Sequence, residues 1–555
     1  MQTPSPRTRA ALLLPLSLLT TAMSAGCREE VSDKGGGEAA EVELPTLDWP
    51  EELVGIANID DDDENGTDDW ADADPAAIDD DRSALSLPAA LFAARGEGGT
   101  IELSLSGDLD ALRVYGGGQL LADAATPTVQ LPADWSGDQA LSVEFGGFLN
   151  AGALSLTLRG ADGSAQLEVE VGLLSAPLIL NHHLQPAERV MAVDVGGGAW
   201  GNEDFILAFQ DTFGDAFFTG DGRDYSWDVW AQDEFEFATL TAPGHRMDVV
   251  IDSIRTGGDR GLDEFPEGLL QAPGVAVRTW GSGRPASQDS FGNMEVTPAL
   301  TADGVSYPFG RVYYGDAGYA QVTQDMRDML DAQLVQKPIV LDVSWLCVGH
   351  VDEFMSFVPD PTAPRGFRLL YADTRAGREF LAAQDPALSL PRFSRAHDYA
   401  NPGELLGDDR LADYNDDLQV NLDANLALLR EELDLTDDEI ILLPGIFERS
   451  AECGGGALSL IPGTVNMEVY TDADGQGATV LPPDPYFRTD DDDPASDAFI
   501  AEIERLLPES LEVVWTDDWA TYHLAWGEVH CGSNTQRTPT GDWWNSARHL
   551  IGGER

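Results

Sequence analysis

Basic residues are scarce in this chain of 555 residues: 32 lysines and arginines stand against 98 aspartates and glutamates, a formal charge of −66. That shortage argues against nucleic acid as a partner, because phosphates need clustered Lys and Arg. Cations and basic ligands are the natural partners, although a solvated acidic surface of the kind used in salt-rich surroundings accounts for the bulk charge equally well. Cysteine is rarer still, with 4 in the chain, too few for a disulfide scaffold. Beyond the N-terminus no apolar run is long enough to cross a bilayer, and no internal repeat is visible. With 43% hydrophobic content the chain can still fill a large core, and its length alone suggests about three or four domains.

The N-terminal stretch MQTPSPRTRAALLLPLSLLTTAMSAGCREE carries Arg7 and Arg9, then an apolar segment from Ala10, then small residues ending at Cys27. This is the pattern of a secretory signal and is too short for a membrane span. Ser-Ala-Gly-Cys resembles a bacterial lipobox with Cys27 as the lipidated first residue of the mature chain, Ser24 standing where Leu is usual. The expectation is an exported protein, anchored at the cell envelope by lipid or otherwise secreted. If Cys27 carries lipid, Cys347, Cys453 and Cys531 are an odd three. A leftover thiol is then expected, with Cys347 and Cys453 structural.

Residues 28–48 read as a flexible acidic and Gly-rich tether. In NIDDDDENGTDDWADAD, a register starting at Asp61 places oxygen donors at Asp61, Asp63, Asn65, Asp69 and Asp72 with Gly66 at the turn, the loop pattern of an EF-hand calcium site. A solvated acidic loop is the plainer alternative. From about residue 84 to 175, pieces such as TIELSLSGD, ALSVEFGG and ALSLTLRG alternate apolar and polar residues between Gly, Asp and Pro, which predicts a β-sandwich domain over 49–175. It has no cysteine, no histidine and no evident convergent polar cluster, and reads as a supporting or binding module. From 176 to 555 strands and helices alternate: MRDMLDAQLVQ and LDANLALLREEL have helical periodicity, Ser496 can cap a helix bearing Phe499 and Ile503, and PIVLDVSWL, MDVVIDS and EIILLPGIF read as buried strands. This predicts an α/β domain of catalytic size.

Three segments of that domain place reactive groups among aromatics: DVWAQDEFEFATL, CVGHVDEFMSFVP and HLAWGEVHCGSN. They supply Asp233, His350, Asp352 and Cys531. A thiolate is a strong nucleophile, an imidazole can shuttle its proton, and two carboxylates can grip one planar cation by paired hydrogen bonds. The set therefore points to a guanidinium substrate, attacked at its central carbon to give a thiouronium. The bland alternatives remain open here: an inert packed Cys531, a core His350, and a QDEFE run that is a solvated strand edge or a set of metal ligands.

VGHVDEFMSFVP, WAQDEFE, DSFGNMEV, NEDF (202–205), VNM (465–467) and GEVHCGSN followed by WWN resemble, in the same order, the protein-arginine deiminases of the vertebrate type. The resemblance implies a calcium-dependent hydrolase that converts arginine in peptides or proteins to citrulline. It implies a five-bladed α/β propeller for the catalytic domain, and it likens the preceding β-sandwich to that family's immunoglobulin-like domain. By residue, it implies Cys531 as nucleophile, His350 as general acid/base, Asp233 and Asp352 as guanidinium ligands, and Trp230 as a wall of the side-chain channel. Gln232, Glu236, Glu295 and the carbonyls of Phe291 and Met294 would hold one calcium, and Glu234, Asp252 and Ser253 another. Strand alternation along QDEFE would send Asp233 to substrate and its neighbours to metal. The family's paired arginines are separated here as Arg255 and Arg260; the latter keeps the Arg-Gly-Leu context for contacting a substrate backbone. Glu353 receives no role. Related readings are a free-arginine or agmatine hydrolase, an amidinotransferase, or a calcium-binding surface module with a vestigial site.

Overall fold

Period-two patterning produces the expected strands. In Thr100–Gly107, Ile101, Leu103 and Leu105 are buried with half-buried Glu102 and Ser104 between them, and Ala151–Arg159 buries Leu154, Leu156 and Leu158 in the same rhythm. The computed structural model describes residues 44–62, 64–72, 81–255 and 261–552. Within it, Glu52–Gly55, Ala165–Ser175, Ala151–Arg159, Thr100–Gly107 and Thr128–Gln130 form one sheet in that order. Ser83–Leu87, Gln139–Phe145, Leu112–Gly116 and Gln119–Ala122 form a second. The hairpin joining the last two turns on Gly117 and Gly118, with φ of 60° and 75°, the left-handed pair a two-residue turn needs. The two sheets share one apolar core, which Leu47 joins although it was expected in the tether.

A polar cluster also sits here, contrary to expectation. Glu144 is fully buried and accepts from Asn58 Nδ2 at 2.7 Å and Tyr115 Oη at 2.9 Å, with Arg113 and Arg82 at 3.2 and 3.3 Å. Its four partners come from segments that alternation alone does not relate, so periodicity could not reveal it. The boundary near residue 175 is not a gap in packing: Ile56, Leu149 and Ala176 share a cluster with Leu178, Leu240 and Val335 of the following α/β region.

That region repeats one unit. Five sheets among the described residues each have a first strand antiparallel to a second and a third parallel to the second. The first strands are Phe235–Ala242, Met294–Val296, Met355–Pro359, Glu468–Thr471 and Ser533–Arg537; the last pairs with Ala187–Asp194, so the chain's two ends of this region close on one sheet. Parallel neighbours require a crossover, and Glu203–Phe213, Gln324–Gln333, Asp409–Leu433 and Ala498–Leu506 lie in four of these connections. The helix over 409–433 begins earlier than its apolar repeat because Asp408 caps it, accepting from the amides of Arg410 and Leu411. Asp497 takes the capping place expected of Ser496. No helix among the described residues is long and apolar enough to cross a membrane.

One correction and one agreement bear on the site. The QDEFE run is not a strand throughout: Ala231–Glu234 forms a short buried helix and the strand starts at Phe235, so period-two alternation does not place Gln232, Asp233 and Glu234. Cys347 and Cys453 are joined in a disulfide, which leaves Cys531 as the free thiol among the described residues.

Candidate active site

The reactive residues, dispersed over almost 300 positions, occupy one repeated place: the turn just before the first strand of a sheet. Asp233 precedes Phe235, Gly292 precedes Met294, Asp352 precedes Met355, Asn466 precedes Glu468 and Cys531 precedes Ser533. The strands Met355–Pro359 and Ser533–Arg537 are buried along their whole length. Polar groups on these inner strands are therefore paired with one another: Ser533 and Thr535 donate to Glu468, and Asn534 donates to the Phe235 carbonyl.

Cys531 Sγ lies 3.5 Å from Asp352 Oδ2 as donor and accepts from Asn466 Nδ2 at 3.3 Å. His350, 1% exposed, donates from Nε2 to the Ser287 carbonyl at 2.9 Å, which leaves Nδ1 as the nitrogen that can trade a proton; it faces Asp233 Oδ1 at 3.4 Å. Gly292 marks the point of convergence. A Cβ there would come within 2.9 Å of Asp352 Oδ2, 3.1 Å of His350 Nδ1 and 3.3 Å of Asp233 Oδ1. The sequence offered DSFGNMEV as a motif without showing that its glycine is required by this crowding. Asn466 was likewise visible only as part of VNM. Burial, then the negative charges of Asp352 and Asp233, push the Cys531 thiol well above its usual range.

A cavity of about 290 Å³ opens onto these groups, lined among others by Trp230, Asp233, Arg255, His350 and Cys531. Trp230 and Cys531 both close on residue 527, which is glycine: a Cβ there would lie 2.3 Å from the indole and 3.3 Å from Cys531 Cβ. Arg255 Nη1 is 3.7 Å from Asp233 Oδ2, so one cation already stands beside this carboxylate. The disulfide Cys347–Cys453 forms part of the same wall. Glu353 now has a role: its Oε1 accepts from the amides of Gly349 and His350 at 2.9 and 2.8 Å and so fixes the turn that presents His350 and Asp352.

Two groups of the expected calcium ligands come together. Gln232 Nε2 donates to Glu236 Oε2 at 2.8 Å; burial first, then Glu295, pushes Glu236 up to about 8, and burial, opposed by His530 and Arg537 but reinforced by Asp352 and Glu468, pushes Glu295 up to about 8. Glu295 follows directly on Met294 and closely on Phe291. Beside them, Glu234 and Asp252 gather with Asp263, which sequence reasoning missed, while Ser253 Oγ is turned to the Asp289 carbonyl at 3.1 Å. Asp252 Oδ1 is buried without a hydrogen-bond partner, and burial drives this carboxyl up to about 7. Closely spaced buried carboxylates of this kind suit a hard dication, so the residues fit calcium.

The acidic loop is arranged differently from its expected register. Asp61 accepts from the amides of Asn65 and Gly66 at 2.9 and 2.7 Å, and the oxygens that gather belong to Asp60, Asp62 and Asp69. Burial, then Asp62, pushes Asp60 up to about 7. Asp63, Arg260 and Cys27 lie outside the described residues, as does the side chain of Asp72.

Residues 166–545 match the family described as Protein-arginine deiminase (PAD). The chain is 33% identical over 386 residues to protein-arginine deiminase type-4 of Homo sapiens, covering 67% of this chain and 55% of that protein. Type-1 of Homo sapiens is 32% identical over 417 residues, covering 71% of this chain and 60% of the relative. Type-3 of Homo sapiens is 34% identical over 345 residues, with 57% and 48% covered. The chain thus spans about half the length of the curated relatives it matches.

Proposed function

The chain belongs to the protein-arginine deiminase family, and from that premise we propose that it hydrolyses the guanidinium group of arginine in peptides or proteins to citrulline and ammonia, with calcium bound. The observation that carries this reading is the convergence of His350 Nδ1, Asp233 Oδ1 and Asp352 Oδ2 on the single point where Gly292 lacks a side chain, with Cys531 Sγ against Asp352. A planar cation fits between two carboxylates of that kind by paired hydrogen bonds.

In this mechanism the entering guanidinium offsets the charge of Asp352 and Asp233, the carboxylates that reinforce burial in holding the thiol protonated in the free protein. Substrate binding and nucleophile activation are then one event. The sulfur passes its proton to His350 Nδ1 and adds to the guanidinium carbon. Nδ1–H returns the proton to a terminal nitrogen, which leaves as ammonia, and a thiouronium cation remains. Water adds to that carbon and gives one proton to Nδ1. The C–S bond then breaks as the hydroxyl proton passes to sulfur, leaving the ureido group, and Nδ1 gives up its proton to solvent, where ammonia takes it as ammonium. Calcium, held by Gln232, Glu236, Glu295 and by Glu234 and Asp252, supplies charge that keeps these buried carboxylates ionised beside Asp233. The carbonyls of Phe291 and Met294 and the hydroxyl of Ser253 complete the proposed ligand sets, and the acidic loop around Asp61 and Asp69 is a further proposed calcium site.

Arg255 and Arg260 are proposed to hold the substrate backbone, Trp230 its aliphatic stem. The five repeated sheets support a five-bladed propeller, and the paired sheets of residues 49–175 support an immunoglobulin-like module. Residues 1–27 are proposed as a lipoprotein signal with lipid on Cys27 and 28–48 as a tether, to be tested by fatty-acid labelling lost in C27A. The decisive assay is citrulline release from a blocked arginine amide and from free arginine, with calcium and with chelator. Release from the amide only, and only with calcium, is expected; no release from either substrate with calcium present overturns the reading.

A further inference from the structure

Behind the reactive groups lies a set of donors of a different chemistry. We propose that His183, Glu295 and His530 form a site for a borderline transition-metal dication of the zinc or cobalt(II) class, which takes Glu295 in competition with calcium. His183 Nε2 stands 3.3 Å from Glu295 Oε2 and His530 Nε2 stands 3.5 Å from Glu295 Oε1. Metal–nitrogen and metal–oxygen bonds of about 2.0–2.2 Å at tetrahedral angles separate neighbouring donors by about 3.3 Å, which these spacings match. One donor atom from each of the three residues lies within 4.8 Å of the others.

Each imidazole is also braced from behind. His530 Nδ1 meets Asp352 Oδ2 at 3.0 Å and His183 Nδ1 meets Ser356 Oγ at 3.3 Å. Such outer partners are what orient ligating histidines. Glu295 is 6% exposed, and its Oε1, aimed at His530, is buried without a hydrogen-bond partner. Asp352 and Glu468 add negative charge around the set, against Arg537 nearby. Hard calcium takes oxygen donors and gains little from imidazole, whereas zinc and cobalt(II) favour it. The sharing of Glu295 makes the two occupancies exclusive. A metal on His530 would also bear on the catalytic sulfur, because that histidine precedes Cys531 and holds Asp352.

The test uses the full chain stripped by chelator, with Co²⁺ alone as probe, and reads visible absorption, so it does not depend on deiminase activity. The intact protein should develop the strong ligand-field bands of a four- or five-coordinate site with nitrogen donors, saturating at one equivalent. H183Q should lose those bands and weaken binding at least about tenfold. S356A removes only the brace behind His183 and should weaken binding about tenfold, which keeps the test open if H183Q does not fold. Excess calcium should bleach the bands. A weak six-coordinate spectrum from surface carboxylates in the parent protein, or bands left unchanged by S356A and by H183Q, overturns the site. Bands that persist in excess calcium overturn the competition.

Discussion

Glu144 and Glu295 are both buried carboxylates in a chain rich in acid, and they are handled in opposite ways. Glu144, between the two sheets of the first region, is met by two arginines, a tyrosine hydroxyl and an asparagine amide. Glu295, at the centre of the α/β region, faces two histidines and another carboxylate, keeps one oxygen without a hydrogen bond, and is pushed up to about 8 by its burial. A buried charge supplied with all its partners holds a fold together, whereas one left short of them is poised for something the chain does not itself provide. The difference separates scaffold from site more sharply than burial does, since both residues are hidden from water.

The comparison can be broken by experiment. The largest expected effect is on the site: C531A should lower turnover by at least about 10⁴-fold with an unchanged melting profile, and measurable citrulline release by that variant would detach the sulfur from the chemistry. Next is the scaffold. E144A strips a buried network of the carboxylate at its centre and should cost about 3–5 kcal/mol of stability in a denaturant titration, with the rate per folded molecule preserved. G292A should reduce turnover about a hundredfold by displacing His350, Asp233 or Asp352, and crystallography of the variant would show which side chain moved. The last is a pH dependence. Because the folded protein holds protons on Glu236 and Glu295 that the unfolded chain releases near pH 4.5, stability without calcium should fall as pH rises from about 5 to about 8, by about 1.4 kcal/mol per unit for each proton held. Calcium should flatten that slope, since it takes the place of the protons. A chelated protein that gains stability over the same interval contradicts the assignment.

Much of the site could be read in the sequence because its motifs are contiguous: GHVDEF carries His350 and Asp352 within one turn, and GEVHCG carries Cys531. The β-strands of the first region were legible through the alternation of Ile101, Leu103 and Leu105. What could not be read was whatever depends on distant segments meeting. The fivefold repetition of one sheet pattern leaves no sequence repeat, since each unit needs only a buried first strand and a crossover, which many residue combinations satisfy. The Cys347–Cys453 pairing spans 106 residues. Gly292 and Gly527 matter through side chains that arrive from elsewhere, and where alternation suggested a strand, Ala231–Glu234 forms a short helix whose four residues are all buried.

The Cys347–Cys453 bridge and the Cys531 thiol open onto one chamber. Sulfur attacks a disulfide only in its deprotonated form, so the burial and flanking acids that keep Cys531 as a thiol also spare the crosslink from exchange with it. An oxidised pair and a reducing group can thus be housed as neighbours, provided that the nucleophile is released only when a cation has already filled the space between them.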